Sequence, residues 1–204
     1  MKIYQAPDLK VLDNYDLSNS LFMAGGCGRD DWRQRIIDTL TPSEYVFLNP
    51  LRKDFSQMDA HAHGKQQAWE QLCLLRAERS VFWFTKNSLC PSSLFELGMV
   101  VNRGRLIYVG CQTGYEMTGR LQKYLKIHNP NTPFFVGDFL PLLDRLAEDD
   151  DKYICPSCYK HLELGNLPEE PTDFAGADFE CAHCRRPLRQ WGAGPEGYGI
   201  LEGR

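Results

Sequence analysis

Glu96 is the first residue in this 204-residue sequence whose type and setting could do chemistry. It lies in the stretch Ser80–Gly98, SVFWFTKNSLCPSSLFELG. The apolar run 80–85 reads as a buried strand, and the helix-period segment that carries Glu96 follows a short loop containing Cys90, Pro91, Ser92 and Ser93. A carboxylate is therefore expected near a helix N-terminus, just past the C-terminal end of a strand, where open α/β sheets bind ligands. The helix macrodipole alone favours a glutamate there. Leu94, Phe95 and Leu97 surround it with apolar side chains, however, and Ser92 or Ser93 can donate a hydrogen bond to it. A carboxylate that is partly desolvated and still hydrogen-bonded suits nucleophilic attack on a sugar carbon.

Weaker signals accompany it. Gly25-Gly26 ends a strand and precedes a helix, so backbone N–H groups could approach a phosphate or sugar hydroxyl; taken alone, the pair reads more simply as a tight strand-to-helix turn. Asn49-Pro50-Leu51-Arg52 closes another strand. There Asn49 could bind a base or hydroxyl and Arg52 an anionic group, or the segment is a capped turn with a solvated arginine. Glu70 follows Trp69, and the two could place a carboxylate and a ring at a pocket wall. His61 and His63 lack the i, i+4 spacing of a helical metal pair.

The second strong signal is Cys155-x2-Cys158 and Cys181-x2-Cys184, with 22 residues between the pairs. Two thiolates two residues apart in a tight turn bind one ion together, and two such turns close a tetrahedral shell. This spacing predicts a structural Zn2+ site of ribbon type. A redox CxxC is the lesser alternative. Residues 151–204 hold nine acidic and six basic side chains, although Arg185, Arg186 and Arg189 form a small cluster. Contact of the ribbon with nucleic acid or protein is thus one expectation, and a purely structural ribbon the other.

These groups need a scaffold. The strand-like runs 20–24, 45–48, 80–85, 106–110 and 133–136 alternate with helix-period segments at 32–40, 61–79, 92–103, 116–127 and 139–147. That alternation predicts an α/β fold, a doubly wound five-stranded parallel sheet with helices on both faces. Residues 1–19 read as an N-terminal arm or edge strand, 20–149 as the main domain, 150–191 as the zinc ribbon and 192–204 as a flexible, glycine-rich tail. A net charge of −4 gives no general attraction to nucleic acid or anionic membranes. No apolar run is long enough to span a bilayer, and the first residues lack a secretory h-region, so a cytoplasmic location is expected.

Five pieces in one order carry a resemblance: LFMAGG (21–26), FLNPLR (47–52), QQAWE (66–70), SVFWF (80–84) and SSLFELG (92–98). Together they resemble the nucleoside 2-deoxyribosyltransferase-like family, in its subgroup with FLAG and NPRR motifs, over about residues 18–148. The resemblance implies a flavodoxin-like fold. It implies an enzyme that transfers 2-deoxyribose between bases or hydrolyses the N-glycosidic bond of nucleosides or nucleotides, with no organic cofactor. Glu96 takes the place of the family's nucleophile, which forms a covalent glycosyl-enzyme, and Glu70 that of an acidic residue contacting the substrate. Gly25, Gly26, Asn49, Arg52, Trp69, Ser92 and Ser93 are the substrate-binding residues expected around them. Phe22 stands where the transferases carry a tyrosine, and Cys90 where they carry a base-holding aspartate. A homo-oligomer is implied by resemblance only. The alternatives are a non-catalytic nucleotide-binding module and, third, an NAD glycohydrolase.

Overall fold

The computed structural model describes residues 2–7, 17, 19–27, 31–40, 45–52 and 60–149, and the backbone of 178–180, 187–190 and 201–203. Six strands, β1 (Lys2–Gln5), β2 (Ser20–Gly25), β3 (Val46–Asn49), β4 (Arg79–Phe84), β5 (Leu106–Cys111) and β6 (Phe134–Val136), form one sheet in the order β1-β3-β2-β4-β5-β6. Every neighbouring pair is parallel. The expected five strands are thus six, because β1 pairs with β3 from Lys2↔Val46 to Gln5↔Asn49. At the edge β1 buries little, and Ile3 is exposed, so this strand lacks the continuous apolar run that marks the inner ones.

Among the described residues, five helices accompany these strands: α1 (Trp32–Leu40), α2 (Ala60–Arg76), α3 (Pro91–Val100), α4 (Thr118–His128) and α5 (Leu140–Glu148). Side chains alternate across a strand, so β2 sends Leu21 and Met23 to one face and Phe22 and Ala24 to the other. The first pair packs with Trp32, Ile36 and Ile37 of α1 and Leu142 and Leu146 of α5. The second packs with Trp69 and Leu74 of α2, Leu97 and Val100 of α3, and Leu121 and Leu125 of α4. Helices therefore cover both faces.

The buried residues of α2 are Gln66, Trp69, Cys73 and Leu74. Leu72, three residues beyond Trp69, is exposed.

Leaving out β1, the strand order is the 2-1-3-4-5 order of doubly wound sheets. From β2 the chain passes to β3 on one side, then crosses back through α2 to β4 on the other. The connections leaving β2 and β4 therefore diverge, which opens a crevice at the C-terminal ends of these two strands. Glu96 enters the fold there, on the helix that follows β4.

A separate three-stranded sheet joins β7 (Asp178–Glu180), β8 (Pro187–Gln190) and β9 (Leu201–Gly203), with both pairings antiparallel. β9 falls within the stretch expected to be a tail. The four cysteines of the expected zinc site, Cys155, Cys158, Cys181 and Cys184, lie outside the described residues. Among the described residues, no group of three or more His, Cys, Asp or Glu could hold a metal, and no helix is long and apolar enough to cross a membrane.

Candidate active site

The helix carrying Glu96 has a constrained start. Pro91 occupies the first turn of α3, where its missing N–H costs nothing. Cys90 before it adopts a left-handed conformation, φ 48° and ψ 54°, which is uncommon for a residue with a side chain. The surrounding loop holds it there. The Ser88 hydroxyl accepts from the Cys90 N–H at 3.1 Å, and the Cys90 thiol lies 3.5 Å from the Ser88 carbonyl. The Tyr115 hydroxyl donates to the Leu89 carbonyl at 2.9 Å, while its ring stacks on Phe84 at 5.3 Å.

Glu96 follows in the second turn of α3 and is only 9% exposed. Burial pushes its carboxyl up to about 7, and the negative charge of Glu70 adds to that rise; the Ser93 side-chain hydrogen bond and the Arg33 charge oppose it. Of the two serines expected to serve Glu96, Ser93 is the buried one that reaches it, and Ser92 faces solvent. Phe95 is 76% exposed, so the desolvation of Glu96 comes from the protein interior and not from this neighbour.

Glu70 projects from α2. Burial raises its carboxyl, and the Gln66 hydrogen bond and the Arg33 charge partly counter this. Gln66 donates from Nε2 to the Glu70 carboxylate at 2.6 Å and to the Pro50 carbonyl at 2.7 Å. Its neighbour Trp69 is fully buried with its ring 6.4 Å from Phe22, so it supports this wall from the core and does not line an open surface.

Arg33 completes the cluster, and sequence reasoning missed it. It is 3% exposed. Nε donates to the Met23 carbonyl at 3.0 Å, one terminal nitrogen to Gly26 at 3.1 Å and the other to Gly25 at 2.9 Å. The guanidinium also lies 4.2 Å from the Trp32 ring centroid, and the Trp32 indole donates to the Gly26 carbonyl at 3.1 Å. Burial lowers its proton affinity, opposed by nearby groups that include Glu96. The signal was present in the sequence. Arg33 stands three and four residues before Ile36 and Ile37, on the apolar stripe of its helix, where a lone charge needs a partner.

The glycine loop packs as a tight turn, one of the two readings its sequence allowed. A side chain on Gly25, at φ +137°, would come within 2.1 Å of the Trp83 carbonyl oxygen, and one on Gly26 within 2.2 Å of the Thr85 hydroxyl. The Gly26 N–H is already bonded to the Trp83 carbonyl at 2.9 Å. These glycines bring β2 against β4 and turn their carbonyls to Arg33. The Gly26 N–H is not left open to a phosphate.

Asn49 acts as a turn cap. Its side-chain oxygen accepts from the Leu51 N–H at 3.0 Å, and its carbonyl accepts from Ala6. Arg52 follows, half-buried.

The structure thus brings together Glu96, Glu70 and Ser93, with Arg33 and Gln66 added, at the crevice beside β2 and β4. A buried carboxyl with a second carboxylate and a guanidinium within electrostatic range can serve as a nucleophile or as an acid/base group near neutral pH. Comparison with curated proteins finds no match. Residues 18–115, the segment that carries every member of this cluster, match the family described as nucleoside 2-deoxyribosyltransferase like, whose namesakes are enzymes acting on nucleosides.

Proposed function

We propose that this protein cleaves the N-glycosidic bond of (deoxy)nucleosides or nucleotides through a covalent glycosyl-Glu96 intermediate. The observation that carries the reading is the setting of Glu96: a buried carboxyl held by Ser93 and raised to about 7, in a segment matching a nucleoside-enzyme family. In the first step a Glu96 oxygen bonds to C1′ as the C1′–N bond breaks. The bonding pair leaves with the base nitrogen, which takes a proton from water. In the second step water attacks C1′ and frees the carboxylate, its proton returning to the solvent that protonated the base, or the nitrogen of a second base attacks, loses its proton to solvent in the same way and completes transfer. Glu70 accepts hydrogen bonds from the bound nucleoside, and its charge keeps Glu96 basic. Ser93 fills the role expected of the hydroxyl that Phe22 lacks. Arg33 fixes the floor of the crevice and limits the rise of the Glu96 carboxyl.

The C-terminal residues fit a structural zinc ribbon. β7 and β8 pair antiparallel with Glu180 opposite Pro187, and the six residues that join them contain both Cys181 and Cys184. A CxxC between two paired strands is the sequence pattern a zinc knuckle uses, with Cys155 and Cys158 as the second pair. Bound zinc would close and stabilise this small module without entering the reaction.

Incubation with a panel of deoxynucleosides, ribonucleosides and their 5′-phosphates, read by base release, tests the function. Intact-protein mass should show a glycosyl adduct, which Glu96→Gln abolishes together with turnover. Full activity in Glu96→Gln would overturn the mechanism. Binding without base release would favour a non-catalytic nucleotide-binding module instead.

A further inference from the structure

Gln66 is buried, 2% exposed, and holds two acceptors on different elements: the Pro50 carbonyl at the end of β3 and the carboxylate of Glu70 one turn later on α2. The Pro50 carbonyl only accepts, and so does Glu70 in its ionised form, so with Glu70 charged the amide nitrogen faces both and both its protons are used. Rotating the amide would set its oxygen against two acceptors. The remaining atom, Oε1, is buried and has no hydrogen-bond partner among the described residues. A buried acceptor without a partner is a standing cost. An apolar side chain of similar length would fill the space without it, so packing alone does not account for glutamine here. The return on that cost is the bond to Glu70, whose carboxylate is otherwise desolvated beside Glu96.

We propose that Gln66 is a positioning residue: braced on the Pro50 carbonyl, it aims Glu70 and holds it as an anion beside the nucleophile. The inference rests on the proposed role of Glu96 but concerns a separate contact. Among the described residues, the charged and polar groups acting on this pair are Arg33 from α1, Ser93 from α3 and Gln66 itself. Arg33 is already committed to the carbonyls of Met23, Gly25 and Gly26. Gln66 is therefore the group whose hydrogen bond stabilises the charged form of Glu70 directly.

The test is a carboxyl NMR titration of Glu70 and Glu96 in the full chain, in wild type, Gln66→Met, Glu70→Gln and the double variant. Gln66→Met should raise the Glu70 midpoint by ~0.5–1 pH unit, the worth of one hydrogen bond. The Glu96 midpoint should fall, because a neutral Glu70 no longer repels its charge. On the Glu70→Gln background the same substitution should leave Glu96 where it was. An equal Glu96 shift on both backgrounds, or none in Gln66→Met, would overturn the proposal. If Gln66→Met does not fold, Gln66→Asn, one methylene too short to span both acceptors, gives the same comparison. The titration needs no turnover: a protein that shows these shifts yet cleaves no nucleoside loses the proposed function and not the role of Gln66.

Discussion

Glu70 on α2 raises the proton affinity of Glu96 on α3, so two carboxylates from different helices share one electrostatic environment. Arg33, on a third helix, lies close enough to act on both. The proton affinity of the Glu96 carboxyl is therefore set by three elements that meet only in the folded crevice.

The pH dependence of turnover follows from this. In the proposed mechanism Glu96 must be ionised to attack, and its carboxyl sits at about 7. Single-turnover rates should fall about tenfold per pH unit below that value and level off above it. Glu70→Gln removes the repelling charge and should move the acid limb to lower pH. Ser93→Ala removes a hydrogen bond that favours the charged form and should move it higher. A pH–rate profile of the three proteins checks both signs.

Stability should run against activity at the same residue. The folded carboxyl of Glu96 is raised above its ordinary value of 4.5, so the folded state binds the proton more tightly than the unfolded one. Its contribution is fully present below about pH 4.5 and is lost as pH rises through about 7. Glu96→Gln imitates the protonated form at every pH. It should abolish turnover and raise the melting temperature at pH 8 by several degrees, with little change at pH 4, as calorimetry at the two pH values can show.

The fold was legible where burial wrote a continuous apolar run, as in 80–84 and 106–110, and less so where it did not. β1 is half-solvated at the sheet edge, so its four residues carry little pattern; residues 1–19 read as either an arm or an edge strand, and pairing with β3 decides for the strand. Glu96 could be read from its place after β4 and from the surrounding motif. Phe95 could not be assigned a side that way, since apolar type does not settle direction, and it turned out to face solvent. Arg33 and Gln66 escaped because their roles depend on backbone carbonyls. The oxygens of Met23, Gly25, Gly26 and Pro50 leave no trace in residue type.

Arg33 should be the most sensitive support of the site. Its guanidinium satisfies three carbonyls at the end of β2, and no shorter or neutral side chain reaches all of them. Arg33→Met would leave the Met23 and Gly25 carbonyls short of a donor at about 1–3 kcal/mol each, while Gly26 keeps the Trp32 indole, and it would remove a charge that lowers the Glu96 carboxyl. The melting temperature should drop by roughly 5–10 °C, and the acid limb of turnover should rise. Arg33→Lys keeps a charge but loses the planar fork. It should restore part of the pH profile and little of the stability.

If the four cysteines bind zinc, purified protein should carry about one zinc ion per chain. Replacing either Cys155 or Cys181 with serine should release it. Chelation should open the β7–β9 sheet to hydrogen exchange, because a small module with little core depends on its metal. The sheet of β1–β6 should keep its protection. Exchange mass spectrometry with and without chelator compares the two regions, and unchanged protection in 178–203 with no zinc bound would refute the ribbon.

Gly25 ties the stability of the sheet to the shape of the crevice. Its φ of +137° is strained for any residue with a side chain, and a Cβ there would lie 2.1 Å from the Trp83 carbonyl oxygen. That oxygen already accepts from Gly26 at 2.9 Å, at the point where β2 leaves β4. The added carbon meets backbone, so no side-chain rotation relieves it, and β2 must move away from β4. Gly25→Ala should then cost more than about 3 kcal/mol and displace the carbonyls that anchor Arg33. Gly114 is a control, since it too has a positive φ, +86°, but a Cβ there would meet nothing within 4 Å. Gly114→Ala should cost only about 1 kcal/mol, the conformational penalty alone. Denaturant unfolding of the two variants separates contact from strain, and equal losses would show that the close approach of Gly25 to Trp83 contributes nothing.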